Sequence, residues 1–180
     1  AGLPLIGLRQ ARIAGWNFVV KRGLDMAAAA IVLTVCSIPF ALLAIAIKLD
    51  SPGPVFFRQT RVGRNSRLFT CYKFRSMVVD AEEQQRQLVE ALEGDPRHPK
   101  DPNDPRRTRV GRFLRRTSLD ELPQFVNILL GEMSVVGPRP PVPAEVALYD
   151  DWHRERLRVT PGLTGLWQVS GRSELSWDDA

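Results

Sequence analysis

The longest stretch of the chain without a charged side chain runs from Met26 to Ile47 and consists mainly of apolar residues. At about 1.5 Å per helical residue, this stretch is long enough to cross a hydrocarbon core of about 30 Å. A buried helix of a soluble domain usually keeps a polar stripe on one face, and this stretch has none. The pattern therefore predicts a membrane helix.

Two features predict that this segment does more than cross the membrane once. Pro39 lies near its middle, where a proline removes a backbone donor and kinks or breaks a helix. Basic residues mark the cytoplasmic side of a membrane, and both flanks are basic: Arg9, Arg12, Lys21 and Arg22 precede the stretch, and Lys48, Arg58, Arg61, Arg64 and Arg67 follow it. A helix that enters the membrane and turns back satisfies both flanks. A spanning helix with a proline kink is the alternative, and the residues alone leave both open.

The rest of the chain predicts a small catalytic domain of mixed α/β structure, mainly helical, attached to this membrane helix. After a turn marked by Pro52, Gly53 and Pro54, two apolar runs at residues 55–57 and 68–72 are typical of short strands. Residues 160–169 have the proline and glycine spacing of a tight turn that leads into a strand. A length of 180 residues favours one domain rather than two.

The formal net charge of +5 favours an anionic partner. Basic residues are concentrated in two windows that contain no acidic residue. The first holds Arg58, Arg61, Arg64, Arg67, Lys73 and Arg75. The second holds Arg106, Arg107, Arg109, Arg112, Arg115 and Arg116. They are candidates for binding phosphates or lipid headgroups, although solvated basic faces are common. Neither the cysteines nor the histidines stand at metal-ligand spacing, so a zinc site is not indicated.

The second basic window leads directly into an acidic pair, Asp120 and Glu121. One interpretation is structural, because Ser118 with Glu121 three residues later has the spacing of a capping box. The functional interpretation rests on location: Pro123 favours a helix that begins near it, which leaves both carboxylates at a helix N-terminus where phosphate oxygens are also favoured. The pair is therefore a candidate site.

Arg139 lies between Pro138 on one side and Pro140 and Pro141 on the other, and these prolines restrict the backbone around a single guanidinium. A preorganised guanidinium can bind a phosphate through two hydrogen bonds. The alternative is a rigid loop whose arginine only faces water.

Seven motifs in order make the sequence similar to the bacterial sugar transferase family, the monotopic phosphoglycosyl transferases. They are KRGLD at 21–25, SPGP at 51–54, RVG at 61–63, KFRSM at 73–77, SLDELPQ at 118–124, GPRP at 137–140 and PGLTG at 161–165. The resemblance implies that Asp120 is the nucleophile and a ligand of Mg²⁺ and that Glu121 is its partner in catalysis. It implies substrate binding by Lys73, Arg75, Arg115, Gln124 and Arg139.

The resemblance also implies a reaction and a place. The family transfers a sugar-1-phosphate from a UDP-sugar to undecaprenyl phosphate, releases UMP and starts exopolysaccharide, capsule or O-antigen assembly. It does so at the cytoplasmic leaflet of the bacterial inner membrane. Its re-entrant helix is broken at a Ser-Pro pair, where this chain has Ser37 and Pro39 separated by one residue.

The resulting expectation is a linker at residues 1–20, a re-entrant membrane helix at 21–50 and a cytoplasmic catalytic domain at 51–180 that is shortened at its C-terminal end. The sequence leaves open whether the protein forms a homo-oligomer. No nucleic-acid partner is expected, because the basic clusters lack interleaved aromatic residues. A non-catalytic membrane anchor, in which the acidic pair only caps a helix, is the alternative class.

Overall fold

The computed structural model describes residues 15–81, 83–84, 104 and 106–165, and these form a mixed α/β, mainly helical structure, as the sequence predicts. Two two-stranded sheets lie among the helices. In chain order the elements are α1 (Trp16–Val35), α2 (Ser37–Asp50), β1 (Phe56–Val62), β2 (Leu68–Phe74), α3 (Arg109–Thr117), a 3₁₀ turn (Leu119–Glu121), α4 (Gln124–Leu130), β3 (Ser134–Val136), α5 (Pro143–Ala147), α6 (Asp151–Arg154), a second 3₁₀ turn (Glu155–Arg158) and β4 (Gly162–Thr164).

Helices α1 and α2 form one bent pair, with an angle of 61° at the break. The break falls at Cys36, so Ser37 and Pro39 lie in the first turn of α2. Pro39 has no amide hydrogen for the carbonyl of Val35 four residues earlier, which interrupts the helical hydrogen bonds there. The hydroxyl of Ser37 donates to the Thr34 carbonyl at 2.8 Å. The proline therefore gives the bend a physical cause.

The first helix begins earlier than the sequence analysis places the membrane segment. It starts at Trp16, inside the region 1–20 that was expected to be a linker. Residues 16–20 contain no helix breaker, whereas Gly15 immediately before them has a φ of 62°, a conformation that glycine adopts without strain. Residues 1–14 of the expected linker lie outside the described residues.

Neither of these two helices alone is long and apolar enough to cross a membrane, but the bent pair passes that test together by length and composition. The pair leaves many large apolar side chains more than half exposed, among them Leu24, Ile31, Val35, Ile38, Leu42 and Ile45. A contiguous apolar surface of this kind is unusual in a soluble monomer and marks a contact with lipid or protein.

Strands β1 and β2 form an antiparallel hairpin that confirms both predicted strands and extends them. Residues that stand opposite each other share one face of such a hairpin, so Gln59 and Cys71 lie on the same face as Phe57 and Lys73. Asn127 of α4 covers the free edge of β2: its side chain donates to the Thr70 carbonyl at 2.7 Å and accepts from the Tyr72 amide at 3.1 Å.

Each arm of the bent pair packs into its own hydrophobic cluster. The first cluster joins α1 to β2 and α4 through Ala29, Phe69, Cys71, Phe125 and Ile128, together with Met133. The second joins α2 to the end of β2 and to α3 through Ile47, Phe74 and Leu114. Helices α1 and α2 therefore each pack against a different part of the hydrophobic core.

The predicted strand after Pro161 is confirmed as β4, which pairs in parallel with β3. The two backbones approach so closely that glycine is required on both. A Cβ on Gly137 would lie 2.6 Å from the Thr160 carbonyl oxygen, and one on Gly162 would lie 2.1 Å from the Gly137 nitrogen.

Candidate active site

The acidic pair lies on a short 3₁₀ turn between α3 and α4. Helix α3 ends at Ser118, whose φ of 57° is in the left-handed region, a conformation that costs free energy for a residue with a Cβ. The Ser118 side chain makes no capping hydrogen bond, so the capping-box interpretation is wrong. Pro123 directly precedes the first residue of α4, as predicted.

The two carboxylates of the pair have different surroundings. Asp120 is 8% exposed, whereas Glu121 forms an ion pair with Lys73, with 2.7 Å between Nζ and Oε1. Burial raises the pKa of the Asp120 carboxyl; the positive charges of Lys73 and Arg115 oppose this rise, and the Glu121 charge adds to it. The turn therefore holds one buried carboxylate whose raised pKa is partly offset by two neighbouring cations, and these cations are also suited to meet a phosphate.

Arg115 is held on the Asp120 side of α3 by a contact with the segment after β2. Its Nε donates to Ser76 Oγ at 3.1 Å. This approach depends on Gly111 one turn earlier, because a Cβ there would lie 1.9 Å from the Ser76 carbonyl oxygen. Sequence analysis named Arg115 but missed this glycine, whose only signal is its position inside a short helix.

Gln124, another residue with a predicted substrate contact, is the first residue of α4 and is 3% exposed. It lies at the same corner of the fold as the acidic turn, because only Leu122 and Pro123 separate it from Glu121.

Arg139 lies in the loop between β3 and α5, and its residue is exposed. Arg61 is its neighbour: burial and the Arg139 charge both lower the pKa of the Arg61 guanidinium, and charges that include Glu121 raise it. Arg61 is thus electrostatically coupled to the loop on one side and to the acidic pair on the other. The Arg139 loop also lines a small recess with Gly63, Arg156 and Leu157.

Arg75 contacts the end of α2. It is 6% exposed, and its guanidinium donates to the carbonyls of Pro52 at 2.8 Å and Ser51 at 2.6 Å, with a longer contact to that of Ile47. These contacts hold the C-terminal end of α2, where carbonyls lack helical partners. They give Arg75 a structural role, and its phosphate contact stays a prediction.

Charged residues near the start of α1 tie this helix to the far end of α4 and to β3. Arg22 donates to the carbonyls of Ile128 and Leu129 at the end of α4. Asp25, 7% exposed, accepts from Ser134 Oγ at 2.8 Å and from the Val135 amide at 3.0 Å. These contacts explain why cations and an acid stand in the first motif, to which sequence analysis gave no role.

The other arm is tied to α3. Asp50, the last residue of α2, accepts from the amide of Val110 at 2.9 Å. This amide belongs to the first turn of α3 and has no partner within the helix. The bent pair thus contacts both helices that flank the acidic turn.

No group of three or more His, Cys, Asp or Glu side chains that could hold a metal ion exists among the residues that the structure describes. Mg²⁺ usually binds through one or two carboxylates together with waters and substrate phosphates rather than in an all-protein cage. The acidic pair fits that mode of binding, since Asp120 lies beside the cations that would meet the phosphates.

The chain belongs to the bacterial sugar transferase family, whose sequence pattern matches residues 16–180. It is 46% identical over 169 residues to the galactosyl transferase CpsE of Streptococcus agalactiae, an alignment that covers 89% of this chain and 35% of that protein. It is 43% identical over 173 residues to the UDP-glucose:undecaprenyl-phosphate glucose-1-phosphate transferase of Escherichia coli, covering 94% of this chain and 35% of that one.

The exopolysaccharide production protein ExoY of Rhizobium meliloti is 45% identical over 163 residues, covering 88% of this chain and 72% of ExoY. The chain spans about a third of the length of the first two relatives.

Proposed function

We propose that this chain is the catalytic part of a phosphoglycosyl transferase that moves a sugar-1-phosphate from a UDP-sugar to undecaprenyl phosphate and releases UMP. The observation that carries the proposal is the buried Asp120 carboxylate beside Glu121, Lys73 and Arg115. The names of the relatives support the substrate class, since the Escherichia coli protein is a transferase of glucose-1-phosphate to undecaprenyl phosphate. The products would start exopolysaccharide, capsule or O-antigen chains.

The reaction proceeds in two displacements at phosphorus. In the first, an Asp120 carboxylate oxygen attacks the β-phosphorus, the bond from this phosphorus to the bridging oxygen breaks, and UMP leaves with that oxygen. The product is an acyl phosphate between Asp120 and the sugar phosphate. In the second, a phosphate oxygen of undecaprenyl phosphate attacks the same phosphorus and the carboxylate leaves. Covalent catalysis divides one difficult displacement into two easier ones.

The cations of the site assist by position and charge. Lys73 holds Glu121 at 2.7 Å and keeps positive charge near Asp120, which favours the ionised nucleophile. Arg115 and Arg139 contact the phosphates of the nucleotide sugar. Asp120 would hold Mg²⁺, which would neutralise part of the phosphate charge when it is bound.

We propose that the bent helix pair attaches the protein to a membrane. In this proposal α1 and α2 enter the cytoplasmic leaflet of the bacterial inner membrane and turn back at Cys36, so that both ends lie on the cytoplasmic side. The exposed apolar side chains of the pair and the basic flanks support this placement. A lipid acceptor then reaches the site from the same leaflet.

The test is to trap the intermediate. Purified protein with Mg²⁺ and a panel of radiolabelled UDP-sugars, without undecaprenyl phosphate, should release at most one UMP per protein and carry a phosphosugar adduct on Asp120. Asp120→Asn should form no adduct. Glu121→Gln is the matched control, which removes the adjacent acid and should still form the adduct, more slowly.

Adding the lipid acceptor then distinguishes the covalent mechanism from a direct transfer and from a protein without catalytic activity. Undecaprenyl phosphate added to the isolated adduct should discharge it into a lipid-linked sugar diphosphate. An adduct mapped to Glu121 would overturn the assignment of the nucleophile. Turnover that requires both substrates together and never yields an adduct would overturn the covalent mechanism, and absence of UMP release with every UDP-sugar would favour a non-catalytic anchor.

A further inference from the structure

Arg61 is a charged side chain in a buried position for which the proposed chemistry gives no reason. It is 8% exposed. Its Nη1 donates to the Pro140 carbonyl at 2.9 Å and its Nη2 to Gln59 Oε1 at 2.6 Å, both neutral acceptors. Its Nε is buried without a hydrogen-bond partner among the described residues. Burying a charge without an ion pair costs free energy. The two contacts of the guanidinium therefore indicate a role that offsets this cost.

Those contacts hold the loop that carries Arg139. Prolines at 138, 140 and 141 have no amide hydrogen, so apart from the Arg139 amide the backbone of residues 138–141 can be held only through its carbonyls. Arg61 takes the Pro140 carbonyl, and the amide of the next residue, Val62, donates to the Pro141 carbonyl at 2.9 Å. On the other side of Arg139, the Pro138 carbonyl accepts from Gly162 at 2.8 Å. The backbone on both sides of Arg139 is therefore held by hydrogen bonds.

The same face of the hairpin also holds the acidic pair. Arg61 and Gln59 alternate with outward residues along β1, and Lys73 lies on their face in the paired strand. Lys73 binds Glu121 at 2.7 Å. One hairpin face thus contacts the Arg139 loop at one end and the acidic turn at the other.

We infer that Arg61 is a positioning residue, which fixes Arg139 relative to Asp120 by anchoring the Pro140 carbonyl to the hairpin. That Arg139 binds the diphosphate of the nucleotide sugar rests on the proposed function. The anchoring contact between Arg61 and the Pro140 carbonyl does not. The like charges of Arg61 and Arg139 repel each other, and a bound phosphate relieves this repulsion. The arrangement is thus most stable with the anion in place.

The functional test compares Arg61→Met, which keeps an unbranched side chain similar to the aliphatic part of arginine and removes the donors, with Arg61→Lys. Thr60→Val is the matched control, because Thr60 is exposed on the opposite face of the same strand. In Arg61→Met we expect the KM for the UDP-sugar to rise about tenfold, which corresponds to about 1.4 kcal/mol, while kcat changes less, because a binding contact is misplaced. Arg61→Lys should recover part of the loss, and Thr60→Val should be unchanged.

A double substitution separates positioning from a general loss of structure. If Arg61 acts through Arg139, then Arg61→Met should have little further effect on the KM in an Arg139→Lys background. Independent losses that add in the double variant would overturn the proposal, and so would an unchanged KM in Arg61→Met.

Hydrogen exchange tests the anchoring contact without any substrate. In Arg61→Met, exchange should become faster at the Val62 amide and in the peptide that covers residues 135–142, while Thr60→Val stays at the wild-type rate. Equal exchange in both variants would overturn the anchoring role. A wild-type protein that releases no UMP would contradict the proposed function instead, and the exchange result would still decide whether Arg61 anchors the loop.

Discussion

Replacement of Asn127 by leucine should destabilise the domain strongly, although leucine is close in size and suits the apolar helix α4. Asn127 is fully buried, and its amide bridges the edge of β2 through the Thr70 carbonyl and the Tyr72 amide, with a further bond to Glu132 at 2.7 Å. In Asn127→Leu the two backbone groups lose their partners. Glu132 is only partly buried and can turn to water.

The magnitude follows from these two backbone groups. A buried donor or acceptor left without a partner costs about 1–3 kcal/mol. Both hydrogen bonds here are partly buried, so the two backbone groups together cost about 2–4 kcal/mol. The apolar surface of the leucine offsets about 1 kcal/mol of this cost, and we expect a net loss of about 1–3 kcal/mol in the free energy of unfolding.

The assay is denaturant unfolding of the detergent-solubilised protein, followed by the near-ultraviolet signal of its aromatic residues. Val126→Ala is the control, because Val126 is the preceding residue on α4 and is 38% exposed; it should lose less than about 1 kcal/mol. A free energy of unfolding for Asn127→Leu within about 1 kcal/mol of wild type would refute the reasoning, because it would mean that the strand edge keeps its hydrogen bonds without the amide.

Three further predictions follow from the site and the helix pair. Burial raises the pKa of Asp120 and the charge of Lys73 opposes the rise; UMP release should therefore fall as the pH drops through a pKa above the usual aspartate range, and in Lys73→Met this acid limb should move to higher pH. In a background without reactive native cysteines, Trp16→Cys and Lys48→Cys should both be labelled from the cytoplasmic side, and labelling of either one only from the periplasm would contradict a re-entrant pair. Gly111→Ala places a Cβ 1.9 Å from a backbone oxygen and should lower thermal stability and activity together, whereas stability equal to wild type would show that α3 can shift without cost.

Features that depend on local chemistry could be predicted from the sequence. The apolar runs at residues 55–57 and 68–72, after the turn marked by prolines and glycine, predicted both strands of the hairpin, and Pro123 predicted the start of α4. Pro39 placed a break in the apolar stretch within a few residues of the observed bend at Cys36. In each case a backbone restriction acts on its own neighbours, so the effect is visible in a short window.

Features that depend on contacts between distant segments could not be predicted. Arg75 and Arg61 both stand in a basic window that suggested phosphate binding, yet the first caps the end of α2 and the second holds the Pro140 carbonyl, 79 positions along the chain. Ser118 has the spacing of a cap but adopts a left-handed conformation instead. A sequence pattern identifies which groups can donate hydrogen bonds, whereas the fold decides which carbonyls they meet.

The two arms of the bent pair contact the two helices that flank the acidic turn, through Arg22 at the end of α4 and Asp50 at the start of α3. Acyl-chain length affects how deeply an apolar helix pair settles into a leaflet. Under the proposed membrane placement, bilayer thickness would therefore act through these two contacts on the spacing of the helices beside Asp120. Reconstitution in bilayers of graded chain length should give an optimum in turnover, with the protein least active where the leaflet is too thin to accommodate the bend.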